Sequence, residues 1–300
     1  MAMVATQTTW GPLKALIERF DEHNFGRVEI QRLVENADVL VQIGNGTLTR
    51  ALLKTSMESV VNPFAKEKTD LRWFYPQGWT PTTAEEQLAI LRGFYPDLDG
   101  SQVVEIAKGI TVPEGADGLF VVPKLSSVAA SLGIEDPYGE GYGRLLETTV
   151  LTHLAGGRQF HNYRAGELTS DRVRVLKSTA DALRNLEEQT PGDFLVLAAQ
   201  TGMKWGGYSP QNARWEIEHS EGEFALPAWC VGHILLTNPA RLERYEVLWI
   251  DCPGDEYRFE DGVEFRDCLC FGFYDDRLEF CSGWLDIADE ICGSGSGFSG

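Results

Sequence analysis

Seven consecutive residues, Arg158-Gln-Phe-His161-Asn-Tyr163-Arg164, gather two guanidinium groups, an imidazole, a phenol and two amides in an otherwise acidic chain. Such a loop can cradle a phosphate or carboxylate, with Arg158 and Arg164 as two-pronged donors and His161 giving or taking a proton. Lys204, in Gly202-Met-Lys-Trp-Gly-Gly-Tyr208, is a further cation that could join them. The competing reading is structural: Phe160 and Tyr163 anchor the loop, and the arginines pair with some of the chain's many carboxylates.

A second constellation is Trp249-Ile-Asp251-Cys-Pro-Gly-Asp255-Glu256-Tyr257, which reads as a strand ending on an aspartate, then a Pro-Gly turn with two more carboxylates. Asp251, Asp255 and Glu256 together can hold Mg²⁺ and orient a water, or divide into a general acid and base. Asp, Pro and Gly are also what polar turns use. A third group is Cys268, Cys270 and Cys281, to which Cys252, Cys292 or His233 would add a fourth zinc ligand. No CxxC pair occurs, so thiols packed as small apolar side chains are the plainer reading, and a Cys270–Cys281 disulfide does not fit a reducing compartment.

Other motifs are absent. Gly44 to Arg50 lacks the ending of a phosphate-binding loop, Gly139, Gly141 and Gly143 lack dinucleotide-site spacing, and there is neither HExxH nor G-x-S-x-G. Asp97-Leu-Asp99-Gly-Ser101 opens like a calcium loop but has Lys108 at the twelfth position.

Stepping from residues to elements, the 300-residue chain has 43% hydrophobic residues, enough for a sizeable core. Its net charge of −19 argues against a broad footprint on nucleic acid or anionic lipid. Residues 246–300 hold 14 Asp and Glu against Arg258, Arg266 and Arg277, so more than half of the excess lies there. No apolar run has the length of a membrane span and no secretory signal is evident, so a cytoplasmic address is expected.

Periodicity predicts a helical N-terminal segment over 1–62, an α+β main domain over 63–292 and a flexible Gly/Ser tail over 293–300. Helices are expected around Leu13 to Phe20 and Leu48 to Met57, from the Thr83-Ala-Glu-Glu86 capping box, and over Ser101 to Lys108, Tyr142 to Leu154, Ser170 to Gln189 and Ala228 to Thr237. Strands are expected at Val39 to Ile43, Gly118 to Pro123, Phe194 to Ala198 and Glu246 to Asp251. Cys268 to Tyr274 and Arg277 to Cys281 form a hairpin around Asp275-Asp276, which sets Cys270 opposite Cys281. The fold class is α+β, a mixed sheet with flanking helices.

The stretches Gly118-Leu-Phe-Val-Val-Pro-Lys124, Phe160-His-Asn-Tyr-Arg164, Pro191-Gly-Asp-Phe-Leu-Val-Leu197 and Trp249 to Glu256 resemble bacterial proteins that have no assigned activity. The resemblance spans roughly residues 75–300, implies one domain there and carries no function. The expected function is an accessory or inhibitory protein of the kind carried by mobile elements, binding a basic protein partner through its acidic C-terminal part, without cofactor. The alternatives are a hydrolase or transferase of a phosphate-bearing small molecule, with Mg²⁺ on Asp251, Asp255 and Glu256, and an assembly subunit with Trp73 to Trp79 as interface.

Overall fold

The computed structural model describes residues 61–259, 262 and 264–299. The N-terminal helices and the strand at Val39 to Ile43 lie outside them. Phe64–Gly300 forms one compact unit. Its helices are α1 (Ala84–Phe94), α2 (Val103–Gly109), α3 (Leu125–Leu132), α4 (Tyr142–Thr148), α5 (Val150–Gly157), α6 (Lys177–Gln189), α7 (Pro210–Glu218) and α8 (Ala228–Thr237). Its strands are β1 (Gly118–Pro123), β2 (Phe160–Asn162), β3 (Val173–Val175), β4 (Phe194–Gly206), β5 (Glu223–Ala225), β6 (Trp249–Tyr257), β7 (Asp267–Tyr274), β8 (Arg277–Trp284) and β9 (Cys292–Phe298). The class is α+β: one mixed sheet of nine strands in the order β1-β4-β9-β6-β7-β8-β2, with β3 joined to β6 and β5 to β9.

Local chemistry accounts for much of this. Thr83 and Glu86 exchange the reciprocal bonds of a capping box and start α1. The β7–β8 hairpin has the expected register, Tyr274 opposite Arg277 and Cys270 opposite Cys281. Asp275 and Asp276 both take left-handed φ, 52° and 58°, as a two-residue turn matched to strand twist requires. Leu269, Phe271, Phe273, Leu278 and Phe280 enter the main core, together with Leu145, Val150, Trp229 and Ile234 from the helices. Among the described residues no helix is long and apolar enough to cross a membrane.

Three expectations are corrected. The helix expected from Ser170 starts at Lys177, because Val173–Val175 instead pairs with residues 255–257 of β6. Val173 and Val175 are buried and Arg174 between them is exposed, which is strand alternation. The expected turn at Pro253-Gly254 lies inside β6. The strand is irregular between Cys252 and Tyr257, and a Cβ on Gly254 would lie 2.7 Å from the Ala225 carbonyl and the Pro227 nitrogen. The polypeptide at 225–227 therefore crosses directly against Gly254, and only glycine leaves room.

The largest correction concerns the C-terminus. The Gly/Ser segment expected to be a flexible tail is β9, hydrogen-bonded to β4 on one side and to β6 and β5 on the other. Composition suggests flexibility because glycine and serine offer little to bury. Here the small size is what the site requires. A Cβ on Gly293 would lie 2.2 Å from the Gly202 carbonyl, and one on Gly297 2.5 Å from the Phe224 ring. Gly202, with φ at +127°, lies where the β4–β9 register shifts between Thr201 and Trp205. Gly293→Ala is therefore expected to lower the unfolding free energy by about 2–3 kcal/mol in urea titrations, an overpacking cost. Removal of residues 293–300 is expected to abolish cooperative unfolding, as read by circular dichroism.

Candidate functional site

The residues of the basic loop are dispersed by the fold. Arg158 follows α5 and donates to the Leu242 carbonyl at 2.6 Å, with its guanidinium over the Phe273 ring. His161 lies on β2 opposite Glu279, and its ring meets Tyr163 edge-on at 4.3 Å. Arg164 pairs with Glu167 at 3.1 Å and stacks over Phe259 and Tyr257. Lys204 pairs at 2.5 Å with Glu223, whose side chain is almost wholly buried. Each cation is taken by a different local partner, and the anion cradle expected from Arg158, Arg164 and Lys204 does not form.

The carboxylates differ in their hydrogen-bond partners but share the Arg214 cation. Asp255 is completely buried at the start of α8, accepting hydrogen bonds from the Ala228 amide at 2.5 Å and the Tyr142 hydroxyl at 3.0 Å, while its Oδ1 has no partner. Glu256 pairs with Arg174 at 2.5 Å and lies 3.7 Å from Arg214. Asp251 is opposed by the charge of the same Arg214. Among the described residues, no group of three or more His, Cys, Asp or Glu is arranged to hold a metal ion. Neither Asp251, Asp255 and Glu256 nor Cys268, Cys270 and Cys281 form such a group.

Pairing registers set Asp251 in a straight row across five strands: Trp205 on β4, Ser294 on β9, Asp251 on β6, Cys270 on β7 and Cys281 on β8. Directly paired residues share a face. The next row, Gly206, Gly293, Ile250, Phe271 and Phe280, faces the main core. Asp251 is 5% exposed, and the neighbouring buried Ser294 hydroxyl has no hydrogen-bond partner among the described residues. Burial pushes the Asp251 carboxyl up to about 7, with the Asp289 charge adding to the effect and Arg214 opposing it. Burial likewise raises Asp255 to about 7. His233, enclosed in α8 between the Tyr95 hydroxyl at 2.8 Å and the Trp229 carbonyl at 2.7 Å, is pushed down to about 3 by burial.

The structure also contains an open cleft of about 470 Å³ lined by Arg72, Trp73, Phe74, Tyr75, Arg244, Tyr245, Glu246 and Val247. One wall is an extended strap: the Arg72 amide donates to the Glu290 carbonyl, and the Leu248 amide donates to the Phe74 carbonyl. The other wall is the approach to β6. Tyr245 meets Trp73 edge-on at 5.0 Å and Tyr274 of the hairpin at 5.8 Å, an aromatic run from cleft floor to hairpin tip. Phe74, Tyr245 and Tyr274 are each more than half exposed. The assembly reading had drawn attention to Trp73–Trp79, but Arg244, Tyr245 and Tyr274 escaped it. Their only sequence signal is a charged-aromatic triplet, Arg244-Tyr-Glu246, and a tyrosine beside a turn.

No protein-family model, no curated protein and no solved structure matches the chain, so its chemistry rests on the geometry alone.

The buried acids make a pH prediction. A carboxyl at about 7 in the folded state and about 4 unfolded binds its proton more tightly when folded, so its stability contribution is lost as pH rises from about 4 to about 7 and is constant above. His233 has the opposite sign, costing stability as pH falls from about 6.5 towards 3. Asp251→Asn removes one carboxylate's share. The variant is expected to be more stable than wild type near pH 7.5, with an advantage that shrinks by about 2 kcal/mol on going to pH 5. Urea unfolding at the two pH values measures this, and a pH-independent difference would contradict the assignment.

Proposed function

We propose that the protein is a non-catalytic recognition factor that binds a lysine- and arginine-rich polypeptide segment in the cleft between the Arg72–Tyr75 strap and Arg244–Val247. The observation that carries this reading is the exposed aromatic run of Phe74, Tyr245 and Tyr274 bordered by carboxylates. Exposed aromatic faces attract cations, and aromatics concentrated in a cleft are what interface anchors are made of. Glu246 lines it, Glu243 is exposed next to it in sequence, and Asp275 and Asp276 are exposed beside Tyr274, while Arg72 is already paired with Glu290 at 3.1 Å and Arg244 is the remaining lining cation. Glu246 also holds a left-handed φ of 66°, a strained conformation for a side-chain-bearing residue, at the lip of the cleft.

This reading keeps a basic protein partner but narrows where it binds. Of the 14 acids in 246–300, Asp251, Asp255, Asp267 and Glu279 are buried, so a uniform acidic face is not what that part of the chain offers. The phosphate-directed hydrolase is less well supported, because Arg158, Arg164 and Asp251 have separate surroundings. A reducing, cytoplasmic setting fits the six free cysteines, four of them buried.

Fluorescence anisotropy with an arginine- and lysine-rich peptide and its glutamate-rich counterpart tests the proposal. The cationic peptide is expected to bind at low salt, more weakly as salt rises, and about tenfold more weakly to Tyr245→Ala, with a smaller loss for the Asp275→Asn/Asp276→Asn pair. Preference for the anionic peptide would instead assign the cleft to Arg72 and Arg244 and overturn the proposal, as would equal binding by wild type and Tyr245→Ala.

A further inference from the structure

The cross-strand row ends in two cysteines, and their placement carries chemistry independent of the cleft. Cys270 and Cys281 are directly opposed on β7 and β8. Counting from the tip, Tyr274–Arg277 closes the two-residue turn as a hydrogen-bonded pair, and bonded and non-bonded pairs alternate from there, so Cys270–Cys281 is again a bonded pair. Cα atoms at such positions lie about 5.5 Å apart, inside the roughly 4.4–6.8 Å that a disulfide spans. The Cys281 thiol points at the Cys270 carbonyl, 3.8 Å away, so the two side chains meet across the strand pair. Their surroundings differ: Cys270 is buried, whereas Cys281 is half-buried. Cys230, Cys252 and Cys268 are buried, and Cys292 lies on β9, two strands from Cys270 across β6.

We propose that Cys270 and Cys281 are a redox modification site, closing to a disulfide when the protein meets a peroxide and reopening with a thiol reductant. The Cys281 thiolate attacks one peroxide oxygen. An S–O bond forms, the O–O bond breaks, and the departing hydroxide takes up a proton to leave as water, giving a sulfenic acid. The Cys270 sulfur then attacks the Cys281 sulfur. The S–S bond forms as the S–O bond breaks, and the second hydroxide leaves as water with the Cys270 proton. Two thiols and one hydrogen peroxide thus yield one disulfide and two waters. Cys281 is the attacking group because it is the accessible one, and Cys270 resolves because it is already beside it. A bridge that must fit a hydrogen-bonded strand pair has little freedom to adjust its geometry. It belongs with the readily reduced disulfides and not the permanent ones, which suits a reducing compartment. The hairpin so stapled is the one that presents Tyr274.

The sequence provides a clean readout. Arg266 and Arg277 bracket Cys268 and Cys270 in one tryptic peptide, while Cys281 and Cys292 share the next, which runs to the end of the chain. In a Cys268→Ser/Cys292→Ser variant of the full chain, hydrogen peroxide is expected to link these two peptides with loss of two hydrogens. Alkylation of Cys270 and Cys281 should fall together by about tenfold and return with dithiothreitol. Fragment-ion mapping of the oxidised wild-type protein should give the same Cys270–Cys281 bond, so the result does not depend on the variant folding. Cys281→Ser should leave Cys270 fully alkylated. Three outcomes would overturn the proposal: both thiols still alkylated after peroxide, Cys281 stopping as a sulfinic acid with Cys270 free, or a bond to Cys268 or Cys292 in the wild-type protein.

Discussion

The sheet depends on a strand with almost no side chains. Among the described strands, β9 alone pairs with both the β1–β4 pair and the β6–β7–β8–β2 group, since β4 and β6 both pair to it and not to each other. It can be there because Gly293 and Gly297 leave space for the Gly202 backbone and the Phe224 ring, contacts that any side chain would close. Glycine in a strand costs roughly 0.5–1 kcal/mol each in backbone entropy, which paired edges must offset. The consequence is topological. The last of the described strands is an interior one, so the β1–β4 pair joins the rest of the sheet only when residues 292–298 are in place.

The same junction is tied down by a buried charge. Arg241 has no exposed surface, yet its guanidinium is fully used. It donates to the Thr201 hydroxyl at 2.8 Å, the Thr201 carbonyl at 2.6 Å and the Leu248 carbonyl at 2.9 Å, and it stacks beneath the Tyr75 ring at 4.2 Å. The Tyr75 hydroxyl and Thr201 both donate to Asp117, at 2.8 and 2.7 Å, which supplies the compensating carboxylate. One cation thus joins the irregular part of β4, the approach to β6 and the strap that forms a wall of the cleft. Burial of a charge is tolerable when its hydrogen bonds and counter-charge are complete. Asp251 is the contrast. Buried as well, its carboxyl is pushed up to about 7 by that burial, whereas each nitrogen of the Arg241 guanidinium has a hydrogen-bond partner.

What the sequence revealed follows from how local each signal was. The capping box at Thr83 and Glu86, the 268–281 hairpin and the strand at Gly118–Pro123 are set by neighbours a few residues away, and all three are present. Val173–Val175 was read as helix because apolar spacing at 173, 176, 180 and 183 mimics a helical stripe, and only its pairing with 255–257 makes the first three residues a strand. Pro253-Gly254 and the Gly/Ser terminus misled for one reason: their roles are defined by distant backbone passing close by, at Ala225–Pro227 and Gly202. The candidate chemistry failed similarly. Arg158 and Arg164 are seven-residue neighbours in sequence, but their partners, Leu242 and Glu167, lie on different elements. Arg241 offered no signal at all, being a lone arginine after a proline turn.

The charge asymmetry has a structural meaning beyond solvation. An excess of carboxylates in 246–300 would ordinarily be spread over solvent-facing positions, but this segment supplies four of the sheet's inner strands, β6 to β9, which forces several acids inside. Asp255 is held by a helix N-terminus and a tyrosine, Glu279 lies 3.1 Å from Arg277, and Asp251 is left with little. The acids that remain outside gather where strands end. Asp275 and Asp276 are present partly because aspartate tolerates the left-handed conformation of a tight hairpin turn. The backbone demand that places two carboxylates at the tip also places them next to Tyr274, and through Tyr274 beside Tyr245. Turn chemistry therefore fixes two exposed carboxylates beside Tyr274, whose ring meets Tyr245 of the cleft.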